Sequence, residues 1–326
     1  METATDPGLE QKGYSPSELL FFSVLFFIPV LDFLPFVWLT GLMAVPVFYL
    51  LTVKGPRTGG RLLRNSLLIA GAGAFLLRRP EIFLFSLTLL PLGYALFQSV
   101  IKGESAMRSG VRGLFMLILS WLLFWTAYGT AAGINVYNNL LENLDAGFRQ
   151  VLELYSSEQA GLSPEELLNV RQLTDGIRET LPKILPSLLA LMAVATVWLN
   201  MLVANNLLGH KQKGLFPWGK YSTWKLPDQL PWASAGAIVC ILLSPEGVVQ
   251  QAGIFVLLLS GQLYFFQGLA VFIFLLDRWN MPVYLRVIVY PMVILLPYGT
   301  LLLSFLGLFE VWFQFRRKKE QNHRSS

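Results

Sequence analysis

The chain has 326 residues, 54% apolar and 14% charged, with a formal net charge of +5; its mean hydropathy is +0.55. Soluble domains carry about 25% charged residues, so a globule of this composition could not cover its surface in water, and the low hydrophobicity that keeps a chain disordered is absent. An all-α bundle in a membrane remains, because the apolar runs are continuous rather than alternating as a β-barrel requires.

Residues 1–16 form a polar N-terminal tail, and Ser15-Pro16-Ser17-Glu18 reads as a capping box with proline at the first helical position. Nine apolar runs follow, at about 17–35, 36–53, 62–77, 82–101, 113–132, 184–207, 232–244, 250–276 and 283–315. A crossing helix needs roughly 20 residues for a hydrocarbon core of about 30 Å, which leaves 62–77, 232–244 and 17–35 short. Pro29, Asp32 and Pro35 offer a break within 17–53, with Asp32 read as a turn residue at the outer surface ahead of an ion or proton site. The runs fall into two membrane groups, 17–132 and 184–315, and a basic tail, 316–326, closes the chain.

Positive charge sets the orientation. Lys54, Arg57, Arg61 and Arg64, then Lys102, Arg108 and Arg112, then Lys211, Lys213, Lys220 and Lys225 occupy three connections that share one side if every run crosses. The positive-inside bias puts these and the N-terminus in the cytoplasm. Arg78, Arg79 and the tail from Arg316 to Lys319 then face out; a tenth crossing, made by breaking 283–315 near Pro297, returns the tail, and nine and ten both stay open. Segment 133–183 lies outside, with eight carboxylates against Arg149, Arg171, Arg178 and Lys183. Val136, Leu140, Leu144, Phe148, Val151 and Tyr155 share one helix face. Ser163-Pro164-Glu165-Glu166 caps a second helix whose apolar side carries Leu167, Val170, Leu173, Ile177 and Leu181, so 133–183 is expected to be an extracytoplasmic amphipathic hairpin.

No catalytic motif appears, and none of the residues is assigned a catalytic or metal-binding role. The one cysteine, Cys240, reads as a small buried thiol, and His210 and His323 are far apart. Gly55-Pro56-Arg57-Thr58-Gly59-Gly60 lacks the Lys-Ser/Thr ending of a P-loop. Basic residues beside apolar runs suit a bilayer rather than nucleic acid. Ala70 with Ala74, and Ala233 with Ala237, are small-residue pairs for helix packing or contact with a partner membrane protein. Polar residues at membrane depth mark pathways or helix contacts: Asn200, Asn205 and Asn206 in the sixth run, Gln262, Tyr264 and Gln267 in the eighth. Gly261, Tyr264 and Gly268 fall within about 60° of one another on a helix, a face that takes either another helix or a small ligand. Asn200, Asn205, Gln262, Tyr264 and Gln267 are therefore the candidate ligand-binding set, with interhelical hydrogen bonding as the alternative. Arg286 can snorkel to the interface, Glu310 sits at a boundary, and Trp218, Tyr221, Trp224 and Trp232 read as an interfacial aromatic belt around Lys220 and Lys225.

The strings Trp224-Lys225-Leu226-Pro227-Asp228, Tyr264-Phe265-Phe266-Gln267-Gly268-Leu269-Ala270-Val271 and Gly307-Leu308-Phe309-Glu310-Val311-Trp312 resemble the YybS-like family of bacterial membrane proteins, over roughly residues 17–317. Glu310 stands where aspartate is expected. The family is regarded as distantly related to the S components of energy-coupling-factor transporters, and that resemblance implies a small-molecule pocket without assigning residues to it. The function expected is a non-enzymatic, multi-pass protein of the bacterial inner membrane that binds a small neutral or amphiphilic molecule as a transporter-like module, without a cofactor. A membrane scaffold that docks partner proteins is the alternative.

Overall fold

A computed structural model describes residues 13–31, 37–156, 163–211, 216–244 and 247–316. Asp32, Lys213, His323 and the tail beyond Arg316 lie outside the described residues. Among those described, all regular structure is helical. The chain divides into two compact units, one within 1–124 and 193–219, the other within 125–192 and 220–326.

In the first unit, α1 (Pro16–Phe27) starts at the expected capping box: the Glu18 N–H donates to Ser15 Oγ and the Ser15 N–H to Glu18 Oε2, both at 3.2 Å. The helix tightens into a 3₁₀ turn at Ile28–Leu31. The second apolar run is not one helix. It splits into α2 (Val37–Thr40) and α3 (Ala44–Val53). Around Gly41 the amides of Leu42, Met43 and Val45 bond three residues back, and the Gly41 carbonyl accepts from Asn200 Nδ2 at 2.6 Å. The basic connection expected at 54–64 is also corrected, because α4 (Gly55–Leu76) begins directly after Lys54. Gly55, at φ +80°, allows that reversal. Gly59 then rests on the end of α3, where a Cβ would stand 2.2 Å from the Leu50 carbonyl oxygen. Ala70 and Ala74 are buried with Leu62 and Ser66 on one face of α4. Next come α5 (Pro80–Leu87), α6 (Leu90–Ile101) and α7 (Ala106–Ala132).

In the second unit, α8 (Val136–Ser156) and the start of α9 (Pro164–Lys211) meet through Asp145 and Arg178. The second capping box forms as well, with the Glu166 N–H donating to Ser163 Oγ at 3.3 Å. The expected boundary at 183–184 is absent: α9 is one helix of 48 residues containing Pro182 and Pro186. A proline at 186 removes the donor for the Pro182 carbonyl, and Tyr137 Oη donates to that carbonyl at 3.3 Å. At 1.5 Å per residue α9 is about 72 Å long, over twice the hydrocarbon thickness.

The remaining elements are α10 (Leu230–Leu243), α11 (Val248–Arg278), α12 (Val283–Leu295) and α13 (Pro297–Phe313). The last two meet at 101°, with extended backbone at Leu296, immediately before the proline where a break was foreseen. Four helices among the described residues are long and apolar enough to cross a membrane, or five if this bent pair is one span. Cys240 is exposed on α10, not buried, because α10 buries only Ala237. The aromatic belt is corrected too: Trp218 and Tyr221 are each 7% exposed, whereas Trp232 is 80% exposed. Trp218 Nε1 donates to Ser109 Oγ at 2.9 Å, which satisfies the indole inside the first unit.

Candidate functional site

The site in the second unit grows from two glycines. At Gly268 of α11 a Cβ would lie 1.7 Å from the Leu303 carbonyl oxygen, and at Gly307 of α13 one would lie 2.0 Å from the Tyr264 carbonyl oxygen. Small residues let helix backbones approach this closely, so α13 occupies the Gly268 end of the face that was open to either a helix or a ligand. Gly261 differs, since nothing lies within 4 Å of a Cβ there, although Ser304 Oγ approaches its carbonyl at 3.4 Å.

The close contact puts Gln267 within reach of two backbones. Its Nε2 donates to the Gly307 carbonyl at 3.2 Å and its Oε1 accepts from the Leu226 N–H at 3.0 Å. Tyr221 Oη donates to the Phe266 carbonyl at 2.6 Å. Together they tie the irregular segment 220–229 across α11.

A second tie comes from the C-terminal end. Gln314, in the left-handed conformation at φ 44°, turns the chain back after α13. The Phe315 N–H then donates to Glu310 Oε2 at 2.9 Å and Arg316 Nε to Glu310 Oε1 at 2.8 Å. The side chains of Arg316 and Glu310 are 7% and 2% exposed. A buried charge needs both a counter-charge and hydrogen-bond partners. Arg316 Nη1 supplies two more bonds, to the carbonyls of Ser222 and Trp224, each at 2.8 Å.

Over these ties lies a cavity of about 410 Å³. Its polar lining is Lys225, Asp228, Gln229, Gln267, Glu310 and Gln314, and Leu226, Pro227 and Val311 complete it. Among the described residues neither Lys225 nor Asp228 forms an ion pair. Pockets of about 300–1,000 Å³ hold small molecules, and this lining includes both a lysine and an aspartate. The three strings that carry the family resemblance contribute to this one place.

A family model described as "Predicted membrane protein (DUF2232)" matches residues 18–311. The chain belongs to that family. No curated protein and no solved structure matches it. The DUF2232 match covers Gln267 and Glu310 and stops short of Gln314 and Arg316.

The five candidate ligand-binding residues are divided between the two units. In the first unit Asn200 donates to the carbonyls of Gly41 and Thr196, and Asn205 bridges the Gly219 carbonyl and the Trp218 N–H. In the second, Gln262 donates to the Leu191 carbonyl at 2.9 Å, Tyr264 Oη pairs with Ser234 Oγ at 3.1 Å, and Gln267 lines the cavity. Asn200 Oδ1 and Gln262 Oε1 are buried and accept no hydrogen bond among the described residues. Of the packing residues, Ala237 is buried and Ala233 exposed. The close approach on α10 is made by Gly253 of α11, whose Cβ would meet the Ala237 carbonyl oxygen at 2.8 Å. Sequence reasoning left Arg316 in the tail. No periodicity links it to Ser222 or Trp224, and only its six-residue distance from an isolated acid hinted at a pair.

Proposed function

We propose that this DUF2232 protein is a non-enzymatic, transporter-like binding module of the bacterial inner membrane, and that the cavity over Gln267 and Glu310 takes a small polar solute bearing both charges. The observation that carries the reading is the roughly 410 Å³ cavity with Lys225 and Asp228 on its wall and a floor braced by the Glu310–Arg316 pair. The resemblance to S components supports it. In this reading the basic stretches 54–64, 102–112 and 208–231 face the cytoplasm and 133–183 faces out, which makes this a cytoplasmic-side site. Nine and ten crossings are both open from the sequence; the bonds from Arg316 to Ser222 and Trp224 support ten, in which α12 and α13 each cross and the helices α1, α3, α4 and α10 join the long ones.

Native mass spectrometry of the purified full chain tests the reading. A small molecule that co-purifies with the wild type and is lost from Lys225→Gln/Asp228→Asn supports it; a wild type with no bound molecule counts against it. Impermeant labelling of single cysteines placed at Ser156 and Ser326, in a Cys240→Ala background, checks the sidedness.

A membrane scaffold is the second reading. It is favoured by the way Asn200, Asn205, Gln262 and Tyr264 bond to the protein's own groups. It is preferred if no small molecule is found and cross-linking in membranes captures a defined partner.

A further inference from the structure

The cavity in the second unit has two kinds of polar lining. Gln267 and Glu310 commit their side chains to the protein itself, at Leu226, Gly307, Phe315 and Arg316. Lys225, Asp228, Gln229 and Gln314 line it as well, and among the described residues their side chains have no partner. At about 410 Å³ the space is near the low end for a small-molecule pocket, and a lining this polar has no room for a long apolar group.

Large apolar side chains stand just outside it. Phe305, Phe309 and Phe313 of α13 are 54%, 45% and 68% exposed. Their rings run in series with that of Phe315, at centroid spacings of 6.3, 6.1 and 5.8 Å. In a membrane protein an uncovered apolar face has lipid chains as its neighbours. Phe313 is about 60° around the helix from Glu310 at 100° per residue, so the end of this ladder borders the cavity face of α13. Two tryptophans mark the depth. Trp312 is 61% exposed and Trp232 80% exposed; the first is about 3 Å of rise from Glu310, the second three residues past Gln229. Uncovered tryptophans collect at the headgroup level of a bilayer, which puts the mouth of the cavity among lipid headgroups.

A lysine ammonium meets phosphate oxygens as a point charge. A carboxylate accepts charge-assisted bonds from a primary ammonium, whereas a trimethylated amine has no N–H to donate. We propose that the cavity takes the headgroup of a membrane phospholipid bearing a primary amine, its phosphate at Lys225 and its ammonium at Asp228, with the acyl chains along the phenylalanine ladder. This rests on the reading of the cavity as a solute site and narrows the solute to the polar end of a lipid.

The test is native mass spectrometry of the full chain in detergent, titrated with phosphatidylethanolamine, with phosphatidylcholine of the same acyl chains, and with water-soluble glycerophosphoethanolamine. The wild type is expected to hold phosphatidylethanolamine on the order of fivefold more tightly than phosphatidylcholine, since one exposed charge contact separates them. Asp228→Asn is expected to erase that difference, whereas Lys225→Gln weakens both lipids by about fivefold and keeps it. Equal binding of the two lipids by the wild type, or an Asp228→Asn variant that retains the preference, overturns the proposal. So does glycerophosphoethanolamine bound as tightly as phosphatidylethanolamine; that result leaves the cavity a site for a soluble solute, and so separates failure of the lipid assignment from failure of the cavity reading. The comparison of the two lipids on the wild type needs no variant and stands even where a substitution impairs folding.

Discussion

α11 and α13 meet backbone to backbone, whereas α8 and α9 meet through charged side chains. In the first pair Gly268 and Gly307 remove the side chains from between two helices, so carbonyls stand where Cβ atoms would otherwise be. Gln267, beside Gly268, then reaches a fixed carbonyl. In the second pair Asp145 of α8 accepts from Arg178 of α9, α8 buries no residue, and Leu154 is 64% exposed. Contact by shape sets the helix register closely and can hold a site. Contact by exposed charges orients a hairpin loosely and leaves it open to pH and salt.

The largest expected effect breaks the well-packed side of this comparison. Glu310→Gln strands the buried Arg316 guanidinium, and removing one member of a buried pair costs about 3–5 kcal/mol. Thermal unfolding in detergent should show a clear fall in Tm, smaller for Glu310→Asp; an unchanged Tm for the glutamine variant would contradict the buried pair.

Next is Gly268→Leu, which must push α13 away from α11. Overpacking typically costs about 1–3 kcal/mol, and a backbone neighbour yields less than a side chain does. Gly261→Ala, about two turns away with open space around it, should be neutral or gain up to about 1 kcal/mol from helix propensity. Equal melting curves for the two variants would remove the distinction between a packed and an open glycine.

A smaller change is expected from Tyr264→Phe, which deletes the bond to Ser234. Bonds of this kind within membranes average about 0.6 kcal/mol, so Tm should fall slightly and any co-purifying solute should be retained. Loss of the solute would instead place Tyr264 in the binding site.

The smallest effect belongs to the charged hairpin. Hydrogen bonds from Arg149, and then from Arg178, hold the Asp145 carboxyl below the usual carboxylate range. A carboxylate whose pKa is lowered in the folded protein adds stability above its unfolded value of about 3.9, and that stability is lost as pH falls through the lower folded value. Distances between spin labels on α8 and α9 should therefore hold steady from neutral pH to about pH 5 and broaden only below about pH 4. Broadening near pH 6 would mean that another group controls the hairpin.

Much of the helical content was legible because its signals are local. Ser15 with Glu18 and Ser163 with Glu166 are three residues apart and form the caps their sequence announces. The break before Pro297 needs only the proline's own geometry. Where polarity changed, the reading failed: the start of an apolar run at 184 suggested a boundary inside what is one helix with Pro182 and Pro186 in its interior, and Tyr137, 45 residues away, donates to the Pro182 carbonyl that Pro186 leaves without its helical donor. The basic stretch from Lys54 to Arg64 looked like a connection because charge outweighed helix propensity in the reading. In the structure the glycine turn at Gly55 starts α4 at once.

By itself, the sequence determined that this chain lives in lipid and is helical, since hydrocarbon tolerates no unpaired backbone and 14% charge cannot clothe a soluble surface. It also named Gln267 and Glu310 as polar positions in apolar helices, but not what either one does. Only the tertiary structure decided that Gln267 braces a loop, that Glu310 holds Arg316, and that Asn200 and Asn205 bond within the other unit. A polar side chain in an apolar helix must find a partner, but which partner depends on how closely two backbones approach. That distance is set by glycines and carbonyls some 40 residues apart in the chain, beyond the reach of any periodicity along a single helix.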